Sequence, residues 1–180
     1  MPTDHPAAVI DTNVLYPVTL RDTLLHISQR GQFRIHWSAK ILDELDSVLI
    51  REGIKSSAQV VVGRAALEAA FPDAMVRYHE RHLELAKNAA GDRHVTAAAL
   101  AAKASFVVTQ NLDDFEPMPE GIVAISSDDF LCLLYQRDPE GISLALQDQL
   151  ARYRRAGFEA TIGRIFAELR TSAPTFVGLF

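Results

Sequence analysis

The chain has a single cysteine, Cys132, among its 180 residues. No internal disulfide can staple it, and a reducing compartment is expected. No apolar run approaches the roughly 18 residues of a membrane span, and the opening MPTDHPAAVIDTN has neither the basic start nor the apolar stretch of a secretion signal. A cytoplasmic protein without a membrane partner is the expectation. Positive charge is scarce too: 18 Lys and Arg stand against 23 Asp and Glu, a net charge of −5. That argues against nucleic-acid binding by bulk electrostatics but leaves room for a local site. Repeats, low-complexity tracts and long Gly, Ser or Pro linkers are missing, so the chain reads as one core with an appendage.

What is present is ordinary globular composition, 48% apolar and 23% charged, in a telling order. Residues 7–11 form a near-continuous apolar run that reads as a buried strand, and it ends in Asp11. Residues 19–30 have the period of a helix, stopped by Gly31, and FRIHW at 33–37 alternates as a second strand. Ser38 is placed to cap a helix over 39–51 ended by Gly53, and Ser56 or Ser57 opens another that runs to about Phe71. Residues 78–88 look helical. After Gly91 come an Ala-rich helix, the strand SFVVT, a turn at 110–114 and the strand GIVAIS. Strands separated by helices predict a mostly parallel sheet in a three-layer α/β/α sandwich over residues 1–126. From Ser127 three helical patterns follow in succession, which predicts a helical extension over 127–180 with Asp138 and Pro139 starting the middle one. Phe176, Leu179 and Phe180 are its candidate docking residues. Within it, residues 141–180 are net basic, with five Lys and Arg against three acids, whereas residues 1–140 are net acidic.

An unpaired carboxylate is costly to desolvate, so Asp11 at the end of a buried strand needs either a solvated crevice or a positive partner. Ligands of parallel sheets bind at the carboxyl ends of strands, which is where Asp11 lies. Helical periodicity puts Ile41, Leu42, Leu45, Val48 and Leu49 on one face, with Glu44 at its edge and Asp43 and Asp46 turned away as solvated acids. Asp92 opens the Ala-rich helix, where capping alone would explain it. The small residues behind it let that helix approach the sheet and carry Asp92 toward the strand ends. TQNLDDF at 109–115 places Asp113, Asp114 and the neutral donor Asn111 after the third apolar strand. Thr12, Asn13 and Thr109 are positioned to orient such groups. Carboxylates gathered in one crevice repel each other unless a cation is present, and oxygen-only donors suit Mg²⁺ or Mn²⁺. His79 and His82 lack zinc-site spacing and read as surface residues.

VIDTNVL, SAKILDEL and GDRHVTAAALAAKASFVVTQNLDDF together resemble the PIN-domain ribonucleases, in particular the VapC-type toxins of toxin–antitoxin pairs. The resemblance covers residues 7 to about 126, and SSDDFLCLLYQRDPEGI looks like the helical tail of a VapC subgroup. It implies metal-binding and catalytic acids at Asp11, Glu44 and Asp92. Asn111 stands where many members have a fourth Asp, which makes Asp114, or else Asp113, its substitute. The resemblance further implies Mg²⁺-dependent cleavage of RNA, a cognate antitoxin and a homodimer. Arg152, Arg154 and Arg155 are candidates to meet RNA phosphates or antitoxin carboxylates, and Arg93 and His94 beside Asp92 are further candidates. A phosphatase of the haloacid-dehalogenase type would need a second Asp at the position of Asn13. A catalytically silent PIN domain and a housekeeping RNA-processing nuclease are the other readings.

Overall fold

The computed structural model describes residues 5–180. The first half of the fold runs β1 (Ala7–Ile10), α1 (Thr12–Leu15), α2 (Val18–Gln29), β2 (Arg34–Ser38), α3 (Ala39–Arg51), α4 (Ser57–Ala70) and β3 (Met75–Val76). It continues with α5 (Glu80–Leu85), α6 (Arg93–Ala102), β4 (Phe106–Val108), a 3-10 turn (Leu112–Phe115) and β5 (Val123–Ile125). The chain then closes with α7 (Ser127–Arg137), α8 (Pro139–Arg155), α9 (Ile162–Leu169) and α10 (Pro174–Val177).

The five strands form one sheet in the order β3-β2-β1-β4-β5, and every pairing is parallel. Ala7, Ala8, Val9 and Ile10 are all buried, as a central strand covered on both faces requires. Val9 pairs with His36 on one side and Val107 on the other. The chain moves outward from β1 to β2 and β3, then crosses back to β4. Right-handed crossovers therefore put α2, α3 and α4 on one face and α6 on the other. The reversal lies between β1 and β4, and this is where ligands of open α/β sheets bind. α6 reaches the sheet closely because Ala97, Ala98 and Ala99 are buried against it with little side chain in the way.

Ser38 caps α3 as expected, its hydroxyl accepting from the Ile41 amide at 3.3 Å. Gly31 and Gly53, which end α2 and α3, have φ of +73° and +67°, conformations that side chains resist. Asp138 caps α8 through the Gly141 amide at 2.9 Å. Two readings need correction, and one strand is additional to those expected. The helix expected over 78–88 spans only Glu80–Leu85, because the chain is extended at both His79 and Ala86. The two-residue strand β3 is too short to leave a period in the sequence. Asp43 and Asp46 are not merely solvated, since Arg64 of α4 bridges both. Among the described residues no helix is long and apolar enough to cross a membrane.

The C-terminal helices share the core of the sheet. Phe130 of α7 is fully buried, its ring 5.1 Å from that of Phe33 and 5.6 Å from that of Phe106. α8 packs along α2, where buried Gln149 accepts from the Thr23 hydroxyl at 2.8 Å. Phe176 is buried, whereas Leu179 and Phe180 stay largely exposed, with the Phe180 ring resting on Tyr135 and Phe166.

Candidate active site

Asp11 continues β1 by one ladder bond, its amide donating to the Val108 carbonyl at 3.0 Å, and is only 5% exposed. Both carboxylate oxygens are held: Oδ1 accepts from the Thr12 amide at 2.7 Å and Oδ2 from the Thr109 hydroxyl at 2.8 Å. Thr109 lies just past the end of β4, so this bond bridges the two central strands at the point of reversal. The same hydroxyl oxygen accepts from Asn13 Nδ2 at 3.2 Å and from the Asn111 amide at 3.1 Å. Asn13 Oδ1 in turn accepts from the Gln110 amide at 3.1 Å. One buried hydroxyl thus fixes Asp11, the start of α1 and the loop after β4. Thr109→Val keeps the shape but strands an acceptor and two donors, and a loss of about 1–3 kcal/mol is expected in urea unfolding.

Glu44 is half-buried on the second turn of α3, at the edge of the stripe formed by Ile41, Leu42, Leu45 and Leu49. Its Oε2 lies 3.2 Å from the Thr12 hydroxyl, and its Oε1 accepts from His94 Nε2 at 2.9 Å. Thr12 therefore touches Asp11 with its amide and Glu44 with its hydroxyl. His94 departs from the expected role in RNA contact: it is 3% exposed and faces inward. Burial, aided by nearby Lys40, pulls its imidazole down to about 4, so at neutral pH it is an uncharged donor. The signal available in the sequence was an imidazole set among Val95 and the small residues of an Ala-rich helix.

Asp92 precedes α6 with φ −105° and ψ 1°, and its side chain makes no capping bond. The capping role that would explain it is not taken up. The Asp114 carbonyl accepts from the Ala89 amide at 3.0 Å and from Asn88 Nδ2 at 3.3 Å, which clasps the segment before Asp92 to the 3-10 turn. Asp114, Asp113 and Asn111 are exposed on that turn.

Electrostatics shows how closely these acids share space. Burial, joined by the charges of Asp92 and Glu44, pushes Asp11 up to about 6 against the pull of its two threonine bonds. Burial raises Glu44 as well, opposed by its Thr12 bond and Lys40. Burial and then the charge of Asp114 raise Asp92, with Glu44 adding to the effect. No Lys or Arg makes an ion pair with any of the four, among the described residues.

The arginines lie elsewhere. Arg93 is exposed beside Asp92 but binds the Asn88 carbonyl through Nε at 3.1 Å. Arg152 lines a cleft of about 220 Å³ with Arg21, Asp46 and Arg64, a cleft that none of the four acids lines. Arg154 binds the Ala160 carbonyl, and Arg155 is near Asp148.

A family model described as a PIN domain matches residues 7–113, more than half of the chain. The chain belongs to the PIN-domain family. Comparison with curated proteins and with solved structures gives no match. The PIN domain is a nuclease-type fold whose members generally use divalent metal ions and bind RNA. The matched span includes Asp11, Glu44 and Asp92.

The donor chemistry here fits such an ion. Every acid offers hard oxygen, and a cation would relieve both the burial that chiefly raises Asp11 and Asp92 and the smaller repulsion between the acids. Among the described residues, no three His, Cys, Asp or Glu side chains are gathered closely enough to hold a metal as they stand. Mg²⁺ keeps several waters and takes one or two carboxylates directly.

Proposed function

We propose that this PIN domain is a Mg²⁺- or Mn²⁺-dependent endoribonuclease and the toxin of a type II toxin–antitoxin pair, acting in the cytoplasm. The observation that supports the reading is that Asp11, Glu44 and Asp92 feel one another's charge near the sheet's point of reversal, with no Arg or Lys paired to any of them among the described residues. A buried acid, Asp11, beside two half-buried ones, none with a paired cation among the described residues, supports a site for a soluble ion.

Asp11, Glu44, Asp92 and Asp114 would hold the ion, with Asn111 as a neutral donor and Asp113 beside it. When bound, such an ion supplies a water of lowered pKa and positive charge facing the phosphodiester. Thr12 and Thr109 fix the oxygens of Asp11, and Asn13 locks Thr109 in turn, so the inner carboxylate needs no rearrangement on binding. Asp92 and Asp114 lie further out and are free to take a proton from, or orient, a water. Arg93 beside Asp92 and the Arg152, Arg154 and Arg155 group at the end of α8 would meet backbone phosphates.

The antitoxin partner and the homodimer rest on the resemblance to VapC toxins. A silent binding module is the second reading, favoured by Asn111 at the fourth position. A housekeeping processing nuclease would share the chemistry without the antitoxin. Cleavage of a fluorogenic RNA in millimolar Mg²⁺ or Mn²⁺, abolished by EDTA, is the expected result, and its absence in both metals supports the silent module. Growth arrest on expression, relieved by a small neighbouring open reading frame, separates toxin from housekeeping enzyme.

A further inference from the structure

His94 is the one inward-facing polar group at the acid cluster to which the nuclease reading gives no task. It lies on the buried face of α6 beside Val95, Ala97 and Ala98, and its Nε2 approaches Glu44 Oε1 at 2.9 Å. Its other ring nitrogen, Nδ1, is buried without a partner among the described residues. A leucine would fill that space without stranding an acceptor, so packing alone does not account for an imidazole here. The bond to Glu44 does. The Thr12 hydroxyl, placed 3.2 Å from both Oε2 and the Ile41 carbonyl, brings a second donor to the other oxygen of the carboxylate.

We propose that His94 is a positioning residue, whose Nε2–H and the Thr12 hydroxyl together aim the Glu44 carboxylate toward Asp11 and Asp92, whose charges it feels. An Arg at the same place would hold Glu44 by neutralising it. This assignment rests on the nuclease reading for the role of Glu44. Groups that orient metal-holding side chains typically change metal affinity or activity about 10–100-fold when removed.

The experiment compares the full-length wild type with His94→Gln, whose amide reaches the Nε2 position, and His94→Asn, whose amide does not. Mn²⁺ affinity is measured by calorimetry, with melting in EDTA as the control for folding. His94→Asn is expected to bind Mn²⁺ about 10–100-fold more weakly and to cleave RNA with lower kcat at similar KM. His94→Gln is expected to restore affinity to within a few-fold. Equal Mn²⁺ affinity in wild type and His94→Asn overturns the proposal, as does a Gln variant no better than Asn. Should His94→Asn not fold, His94→Leu takes its place in the same comparison. A wild type that takes up no Mn²⁺ at all overturns the nuclease reading itself, an outcome distinct from the others.

Discussion

Asp11→Asn is expected to cut RNA cleavage by about 10³-fold or more while making the EDTA-treated protein melt at a higher temperature. The loss corresponds to about 4 kcal/mol of transition-state stabilisation, a reasonable share for a side chain at the centre of a metal site. The gain has a separate origin. A buried carboxyl shifted from 3.8 to about 6 costs the folded state up to about 3 kcal/mol at neutral pH. The amide removes that charge and still accepts from the Thr12 N–H. It leaves the Thr109 proton without its acceptor, which costs about 1 kcal/mol. A net gain of about 1–2 kcal/mol should raise the melting temperature by about 2–8 °C in a chain of this size. Millimolar Mg²⁺ should then stabilise the wild type and not the variant. Scanning fluorimetry of both proteins with EDTA and with Mg²⁺ checks the prediction. A variant that cleaves normally, or melts lower in EDTA, contradicts it.

A chain ending at residue 126 is expected not to fold, although residues 7–113 carry the whole family match. Removing α7 to α10 strips Phe130, Leu134, Ile142, Leu146 and Phe176 from the same buried cluster that holds Val9, Ile35 and Val107. Each side chain of this kind contributes about 1.5–3 kcal/mol on burial, so the combined loss is as large as the whole stability of an ordinary domain. Phe130→Ala is the gentler test. Its ring meets Phe33 beside β2 and Phe106 at the start of β4, and the cavity should cost about 3–5 kcal/mol. Urea unfolding would show one transition, displaced to lower denaturant. Two transitions, or a soluble folded 1–126 fragment, would show that the helices are a separable attachment.

The central elements were legible because strong local rules fixed them. Ser38 and Gly53 bracket α3, so Glu44 could be placed on its face before any coordinates. The all-apolar β1 announced a central strand. The elements that escaped are those held by partners distant in sequence. β3 exists because Trp37 and Ser38 offer an edge to Met75 and Val76, and the four-residue α10 docks through Phe176 and Val177. Of the site, the presence of acids at strand and helix ends was readable, but their supports were not. The Thr109 hydroxyl joins residues 98 positions apart from Asp11, and His94 meets Glu44 across two helices. No sequence period encodes either bond.

The clasp between the 3-10 turn and the segment before Asp92 is made by the main-chain carbonyl of Asp114, not by its carboxylate. Exchanging that side chain for Asn, Ser or Gly would thus leave the scaffold standing, making this corner of the site an interchangeable part. The outermost acid can change without disturbing the clasp, whereas any replacement at Asp11 must answer to both Thr12 and Thr109.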